Sequence, residues 1–270
     1  MDYANADLSA VSQKVEVNVL VDDATTVENV DYLGLAFDPR TIDEIIVSLT
    51  SLPLSPCVTV VTPNVDHIVR LHRAKDVDSA SLWPAYRDAS LRLCDSRIVA
   101  RLARLNGVVL SVVPGSDLTK RLFACIPFGE TVAVIGGDSQ TADELAALRS
   151  DIVLVQHVPP MQMLLNPAAM DAATAFIVEA GARFTFLAVG SPQQELLAMH
   201  VRASPGAQGV ILCIGAGIEF LTGRIQRAPV WVQRASIEWL HRLLSNPRRM
   251  WRRYLVEGPR IFRLAWQFRN

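Results

Sequence analysis

Five polar side chains sit just behind short apolar runs, where strand ends would release them into a cleft: Thr62, Asn64, Asp95, Gln194 and Glu219. Asp95 follows the run 91–94 and precedes a segment carrying Arg97, Arg101 and Arg104. A carboxylate in a cleft can take the proton of a hydroxyl as its oxygen attacks. Asp is also a preferred helix cap, so position alone leaves both roles open. Thr62-Pro63-Asn64 has the same double reading. Pro and Asn suit a helix start, while an amide can also hydrogen-bond a sugar or a uracil edge. Gly136-Gly137 and Gly215-Ala216-Gly217 are turns that let backbone approach a ligand, with N–H groups suited to an anion, or are simply tight strand-to-helix turns. In Gly190-Ser191-Pro192-Gln193-Gln194-Glu195, Ser191 reads as a cap and Pro192 as the first helical residue. Gln194 or Glu195 would help to complete a capping box, and Gln194 would still face the cleft.

Several chemistries lack their signatures. No P-loop, no G-x-S-x-G elbow and no full G-x-G-x-x-G is present. His67 and His72 are five apart and no H-x-x-x-H exists, so no metal site is expected. Asp76-Val77-Asp78 resembles a metal-holding D-x-D but follows a helical pattern, so it reads as a solvated helix end.

The elements that must position these residues follow from periodicity. Apolar β-branched runs at 57–62, 91–94, 108–113, 131–135, 152–155, 184–189 and 209–214 alternate with segments of helical period at 65–75, 96–105, 117–125, 140–149, 167–180 and 192–202. This alternation predicts an α/β fold, a Rossmann-like mostly parallel sheet with helices on both faces. A strand near 32–36 and a helix from about Thr41 to Leu52 should precede it. Ligands of such sheets bind beyond the carboxyl ends of the strands, where the polar residues fall.

At 270 residues, with 50% hydrophobic and 20% charged residues, the chain can bury a real core, and disordered and fibrous classes are excluded. No apolar stretch is long enough to span a bilayer. The first residues lack a basic and an apolar region, so no signal peptide is expected. Cys57, Cys94, Cys125 and Cys213 read as reduced, buried thiols of a cytosolic protein. The net charge of −1 conceals an asymmetry: residues 224–270 hold eleven Arg, no Lys and two acids, a net +9, against −10 for the rest. Within 231–266 lie four Trp, on a pattern of helical period broken near Pro247. Arg interleaved with aromatics suits an anionic lipid surface, though a helical cap on the sheet has the same pattern. The expected organisation is a polar segment at 1–31, the Rossmann-like domain at 32–223 and a membrane-associating appendage at 224–270.

Taken in order, these motifs resemble the WecG/TagA/CpsF glycosyltransferase family. The similarity rests on Val60-Val61-Thr62-Pro63-Asn64-Val65-Asp66-His67, Gly190 to Glu195, and Gly215-Ala216-Gly217-Ile218-Glu219-Phe220-Leu221-Thr222-Gly223. It continues through Arg227-Ala228-Pro229-x-Trp231, Glu238-Trp239-Leu240-x-Arg242-Leu243-Leu244-x-x-Pro247-x-Arg249 and Trp251 to Leu255, over roughly residues 32–256. The resemblance implies inverting transfer of a sugar from a UDP-sugar to a polyprenyl-diphosphate-linked saccharide at the inner face of the cytoplasmic membrane, without a cofactor or required metal. The sugar would be N-acetylmannosaminuronate, N-acetylmannosamine, glucose or similar. The family's catalytic Asp corresponds to Asp95, but the glycines that follow it there are Ser96 and Ile98 here. Thr62, Asn64, Gln194 and Glu219 match its other site positions, and Gly136, Gly137, Gly215 and Gly217 are further expected donor contacts. Arg224, Arg227, Arg234, Arg248, Arg249, Arg252 and Arg253 are expected to meet a diphosphate or the membrane. A Glu-Arg pair common in the family is replaced by Ser111-Val112; if that Arg contacts the sugar, its loss implies a different sugar or a substitute cation such as Arg101. Expected partners are the donor, the lipid-linked acceptor and an anionic membrane surface, not nucleic acid; a homo-oligomer is left open. Two competing readings are another nucleotide-using α/β enzyme, which NAD(P) rather than UDP would stabilise, and a non-catalytic membrane-associated assembly partner.

Overall fold

A computed structural model of the chain describes residues 27–73, 77–226, 228–229, 232 and 237–269, without the side chains of 77–81 and 249. Asp76, Arg227, Trp231 and Arg234 lie outside the described residues, as do the side chain of Arg249 and most of the polar N-terminal segment.

The core is a six-stranded, all-parallel sheet: β3 (Val58–Val61), β4 (Leu91–Arg92), β5 (Thr131–Gly136), β6 (Val153–His157), β7 (Phe184–Ala188) and β8 (Val210–Cys213), in the order β4-β3-β8-β7-β5-β6. The protein is therefore a Rossmann-like α/β fold. Strand side chains alternate between faces. Val58, Val60, Val132, Val134, Phe184, Phe186, Val210 and Leu212 pack on one side, against α1 (Ile42–Ser51) and α5 (Gly115–Cys125). Val61, Ile135, Leu187, Ile211 and Cys213 pack on the other, against α2 (Val65–Leu71), α7 (Pro167–Ala180) and α8 (Gln193–Ala203). Two-sided burial is why β5 reads as apolar throughout, whereas β6, at the edge, is half-exposed. The remaining helices of the body are α3 (Val77–Arg87), α4 (Arg97–Leu105), α6 (Thr141–Leu148) and α9 (Gly217–Leu221). Thr41 and Glu44 start α1 with a reciprocal capping box.

Two expected strands differ. The run 32–36 is a hairpin, β1 (Val30–Tyr32) and β2 (Leu35–Phe37), because Leu33 and Gly34 both take positive φ and reverse the chain. Among the described residues, the run 108–113 pairs with the sheet only at the bridge between Cys94 and Val112. Cys125 is a further correction: the other three cysteines are buried, but Cys125 is exposed at the end of α5. It falls outside the buried stripe of Leu118, Leu122 and Phe123.

After residue 237 the chain forms α10 (Glu238–Ser245), α11 (Pro247–Trp251), a π-helical segment at Arg252–Glu257, and α12 (Arg260–Gln267). Pro247 opens α11, which accounts for the break in periodicity. Ile261 and Ala265, four apart on α12, are buried, and Ile261 belongs to the core cluster on the α2 side of the sheet. No helix among the described residues is long and apolar enough to cross a membrane. Phe186 lies on β7 with no exposed surface. Phe186→Ala is expected to cost about 3–5 kcal/mol in urea-unfolding stability. A cost under about 1 kcal/mol would mean that the layer of α1 and α5 does not close on that strand.

Candidate active site

A cleft of about 640 Å³ opens at the carboxyl rim of the sheet, lined by residues following β3, β4, β7 and β8. It brings together Thr62, Asn64, Asp95, Gln194, Gly215 and Gly217, six residues drawn from four strand ends. The chain runs from β3 outward to β4, crosses to β5 and β6, and fills the middle with β7 and β8. That reversal of direction is where parallel sheets leave a crevice.

Asp95 does not cap α4. Ser96 does, its side chain accepting the Val99 N–H at 3.3 Å. Asp95 is half-buried in the cleft wall, with Oδ1 accepting the Gly115 N–H at 3.2 Å. Gly115 is the first residue of α5, whose cap Pro114 offers no side-chain acceptor. An orphan helix N–H and a carboxylate thus satisfy one another across 20 residues of chain. The Asp95 backbone N–H donates to the Pro63 carbonyl at 3.1 Å, tying the ends of β4 and β3 together.

The neighbouring side chains are held just as firmly. Asn64 caps α2, Oδ1 accepting from Asp66 N–H at 3.0 Å and His67 N–H at 3.4 Å. Thr62 is buried and donates to the Cys213 carbonyl at 3.2 Å. The expected cap at Ser191 is not formed. Pro192 occupies the N-cap of α8 without a side-chain bond, and Ser191 Oγ accepts from Arg70 at 3.0 Å. Gln194 and Glu195 form no capping box either; both are buried. Gln194 Oε1 accepts the Gly215 N–H at 2.8 Å, and its Nε2 donates to Glu195 at 2.8 Å. Gly215 takes positive φ in this turn, and a Cβ there would meet only Gln194 at 4.0 Å. Conformation rather than space selects glycine at 215. A Cβ at Gly217 would instead strike Thr119 Oγ1 at 2.6 Å. The Gly217 N–H donates to Ile214 at 2.9 Å, so both glycine amides are spent within the protein.

Below this floor burial dominates the titrating groups. It pushes the Cys213 thiol and the Tyr86 phenol well up, the Glu195 carboxylate adding to both. It pushes the His67 imidazole down, against the opposing pull of Glu195 and Asp66. His67 also lines the cleft, and its Nδ1 has no hydrogen-bond partner among the described residues.

Positive charge in the cleft comes from Arg70, Arg97, Arg242 and Arg253. Arg70 and Arg253 share Asp66 Oδ2, at 2.9 and 3.5 Å. Arg97 pairs with Glu238 at 3.1 Å. Arg242 lies over the Phe220 ring at 5.5 Å and pairs with no carboxylate among the described residues. Arg101, the expected substitute cation, is exposed and does not line the cleft. Val112 does line it, and Ser111 bonds the Pro39 carbonyl. Arg70 carried no signal in the sequence beyond its place one helical turn after Asp66. Arg242 was visible in the basic tail and in the family-like motif from Glu238 to Arg249, but not as a cleft cation.

Other expected residues lie elsewhere. Gly136 and Gly137 do not line the cleft; a Cβ on Gly137 would lie 2.4 Å from Thr141 Oγ1, so α6's own first residue fills that turn. Glu219 is half-buried on α9, outside the cleft lining. Arg224 bridges Asp138 and Glu144, each at 2.7 Å, while Arg248 and Arg252 are exposed outside the cleft. Among the described residues no three His, Cys, Asp or Glu side chains converge to hold a metal ion.

Two measurements test this arrangement. Gln194→Ala would leave a buried carboxylate and the Gly215 amide without their partner, and should cost about 1–3 kcal/mol of stability. The Arg224 guanidinium holds the Asp138 carboxyl down to about 2. A lowered carboxylate adds stability above its unfolded value of about 3.9 and loses it as pH falls through the folded value. Both groups face solvent, so the contribution is small. Arg224→Ala should move the Asp138 titration, followed by carboxyl NMR, up toward the ordinary range; an unmoved midpoint would remove Arg224 as its cause.

Comparison with known protein families matches residues 30–270 to the family described as "Glycosyl transferase WecG/TagA/CpsF family". The match spans the sheet, every cleft residue and the basic C-terminal segment, and the chain belongs to this family of glycosyltransferases.

Proposed function

We propose that the chain is an inverting glycosyltransferase that moves a sugar from a UDP-sugar to a polyprenyl-diphosphate-linked saccharide in cell-surface polysaccharide assembly. The observation that carries this reading is the Asp95 carboxylate, held in the cleft wall by the Gly115 N–H and released from capping α4 by Ser96. In the proposed step Asp95 takes the proton of the acceptor hydroxyl. The freed oxygen forms a bond to the sugar's anomeric carbon, while the bond from that carbon to the diphosphate breaks on the opposite face. The electron pair leaves with UDP.

The departing diphosphate needs nearby positive charge. With the Gly215 and Gly217 amides engaged inside the protein, that task falls to the guanidiniums. Arg242 pairs with no carboxylate among the described residues, and planar guanidinium matches phosphate oxygens in pairs. Thr62, Asn64, Gln194, Gly215 and Gly217 shape the donor's surroundings in this reading. The basic segment from 224 onward serves as an appendage that faces an anionic membrane, where each basic residue contributes about 1 kcal/mol. No cofactor and no metal enter the scheme. N-acetylmannosaminuronate, N-acetylmannosamine or glucose are the sugars in view, at the inner face of the cytoplasmic membrane.

Asp95→Asn keeps the shape of the side chain and removes the base. It should retain thermal stabilisation by a UDP-sugar and lose transfer by about 10²-fold or more. Turnover equal to the parent's would refute the assignment of Asp95.

A further inference from the structure

A second cavity, of about 630 Å³, lies behind the C-terminal segment and shares no lining residue with the cleft. The residues from 252 to 263 form the partition. Arg253, Leu255, Pro259 and Phe262 line the cleft, and their neighbours Arg252, Val256, Arg260 and Arg263 line the second cavity. The π-helical segment and the first turn of α12 therefore present opposite helical faces to the two sides of one wall.

The second cavity is strongly cationic. Four guanidiniums, Arg73, Arg252, Arg260 and Arg263, surround it against a single carboxylate, Glu257. Glu257 is engaged by Arg73 at 2.7 Å and approached by Arg252 at 3.6 Å. Arg260 and Arg263 are exposed and make no ion pair among the described residues. Arg73 follows α2, and the other three belong to the C-terminal segment, so the site exists only when that segment is docked. The surroundings are apolar. Val69 and Leu264 line the cavity, and Val256 is 47% exposed beside it.

A guanidinium cluster of this density suits the oxygens of a phosphoryl group, which it can hold through paired hydrogen bonds. Aliphatic side chains beside such a cluster suit the acyl region attached to that group. We propose that the second cavity seats the phosphoryl headgroup of an anionic lipid, separately from the donor cleft. The proposal rests on the membrane-facing part of the reading above and is independent of catalysis. Seating a headgroup there fixes the height of the partition wall, and so of the cleft mouth, relative to the bilayer surface.

The test uses the full chain, because removing the segment would strip Ile261 and Ala265 from the core. Binding to phosphatidylcholine vesicles containing phosphatidylglycerol is measured for the parent, for Arg260→Gln/Arg263→Gln, and for Arg248→Gln/Arg269→Gln. The last pair removes equal charge from exposed tail positions outside the cavity. The cavity variant should bind at least about tenfold more weakly than the parent, and more weakly than the charge-matched pair. Inorganic phosphate, at ionic strength matched with chloride, should displace the parent and have no such effect on the cavity variant. Equal losses in the two variants, or equal sensitivity to phosphate and chloride, would mean diffuse attraction and overturn the site. Stabilisation by inorganic phosphate without vesicle binding would overturn the lipid as its source. Stabilisation by a UDP-sugar, measured on the same proteins, should be equal in the parent and the cavity variant. Its absence from both, with vesicle and phosphate results as expected, would remove the donor reading and leave this site standing.

Discussion

Parallel pairing places the carboxyl ends of all six strands at one rim, and each polar group in the cleft depends on that geometry. β3, β4, β7 and β8 are short and lie side by side in the order β4-β3-β8-β7, so the residues just beyond them converge although they are far apart in sequence. Thr62 and Gln194 each reach the end of β8, through the Cys213 carbonyl and the Gly215 amide. Asp95 reaches the start of α5. The rim is stitched from strand end to strand end by side chains rather than by further ladder bonds. A cleft built this way is stiff, because moving one wall breaks a buried hydrogen bond in another.

The stiffness has a chemical consequence. Glycine turns at strand ends commonly offer their amides to phosphate. Here those of Gly215 and Gly217 are satisfied by Gln194 and Ile214, so the protein's own groups occupy the place that an anion would take. Charge neutralisation then has to come from side chains, and the four cleft arginines arrive from α2, α4, α10 and the π-helical segment. Two of the four lie beyond residue 237, so the C-terminal segment completes the cleft's electrostatics as well as covering apolar surface.

Much of the fold was legible because strands buried on both faces carry a period that survives any context. The helices α1, α4, α5, α7 and α8 fall within about two residues of the expected segments. Errors arose where local backbone geometry overruled composition. Leu33-Gly34 looks like strand interior until both residues take positive φ. Ser191 looks like a cap, but its hydroxyl is claimed by Arg70, which lies 121 residues earlier. Six expected residues at strand ends meet in one cleft because strand ends are readable, and the expected Arg253 joins them from the C-terminal segment. Gly136 and Gly137 share the same signature yet lie outside it, because Thr141 fills their turn. Arg70 and Arg242 escaped notice because a cation's position depends on tertiary packing rather than on its neighbours in sequence.

The eleven arginines of the tail first read as one basic patch. Folded, those among the described residues take separate places. Arg224 is neutralised by Asp138 and Glu144, which leaves little for a membrane. Arg253 turns inward to Asp66, and Arg242 to the cleft. Arg252, Arg260 and Arg263 turn to the opposite side of the same wall. The helical turn of this segment sets the split, since residues about one turn apart, such as Arg252, Val256 and Arg260, reach the same side. A net charge computed for the tail therefore overstates any single field it produces. What matters at a surface is the subset on one side of the wall, where four guanidiniums face one carboxylate beside Val69, Val256 and Leu264.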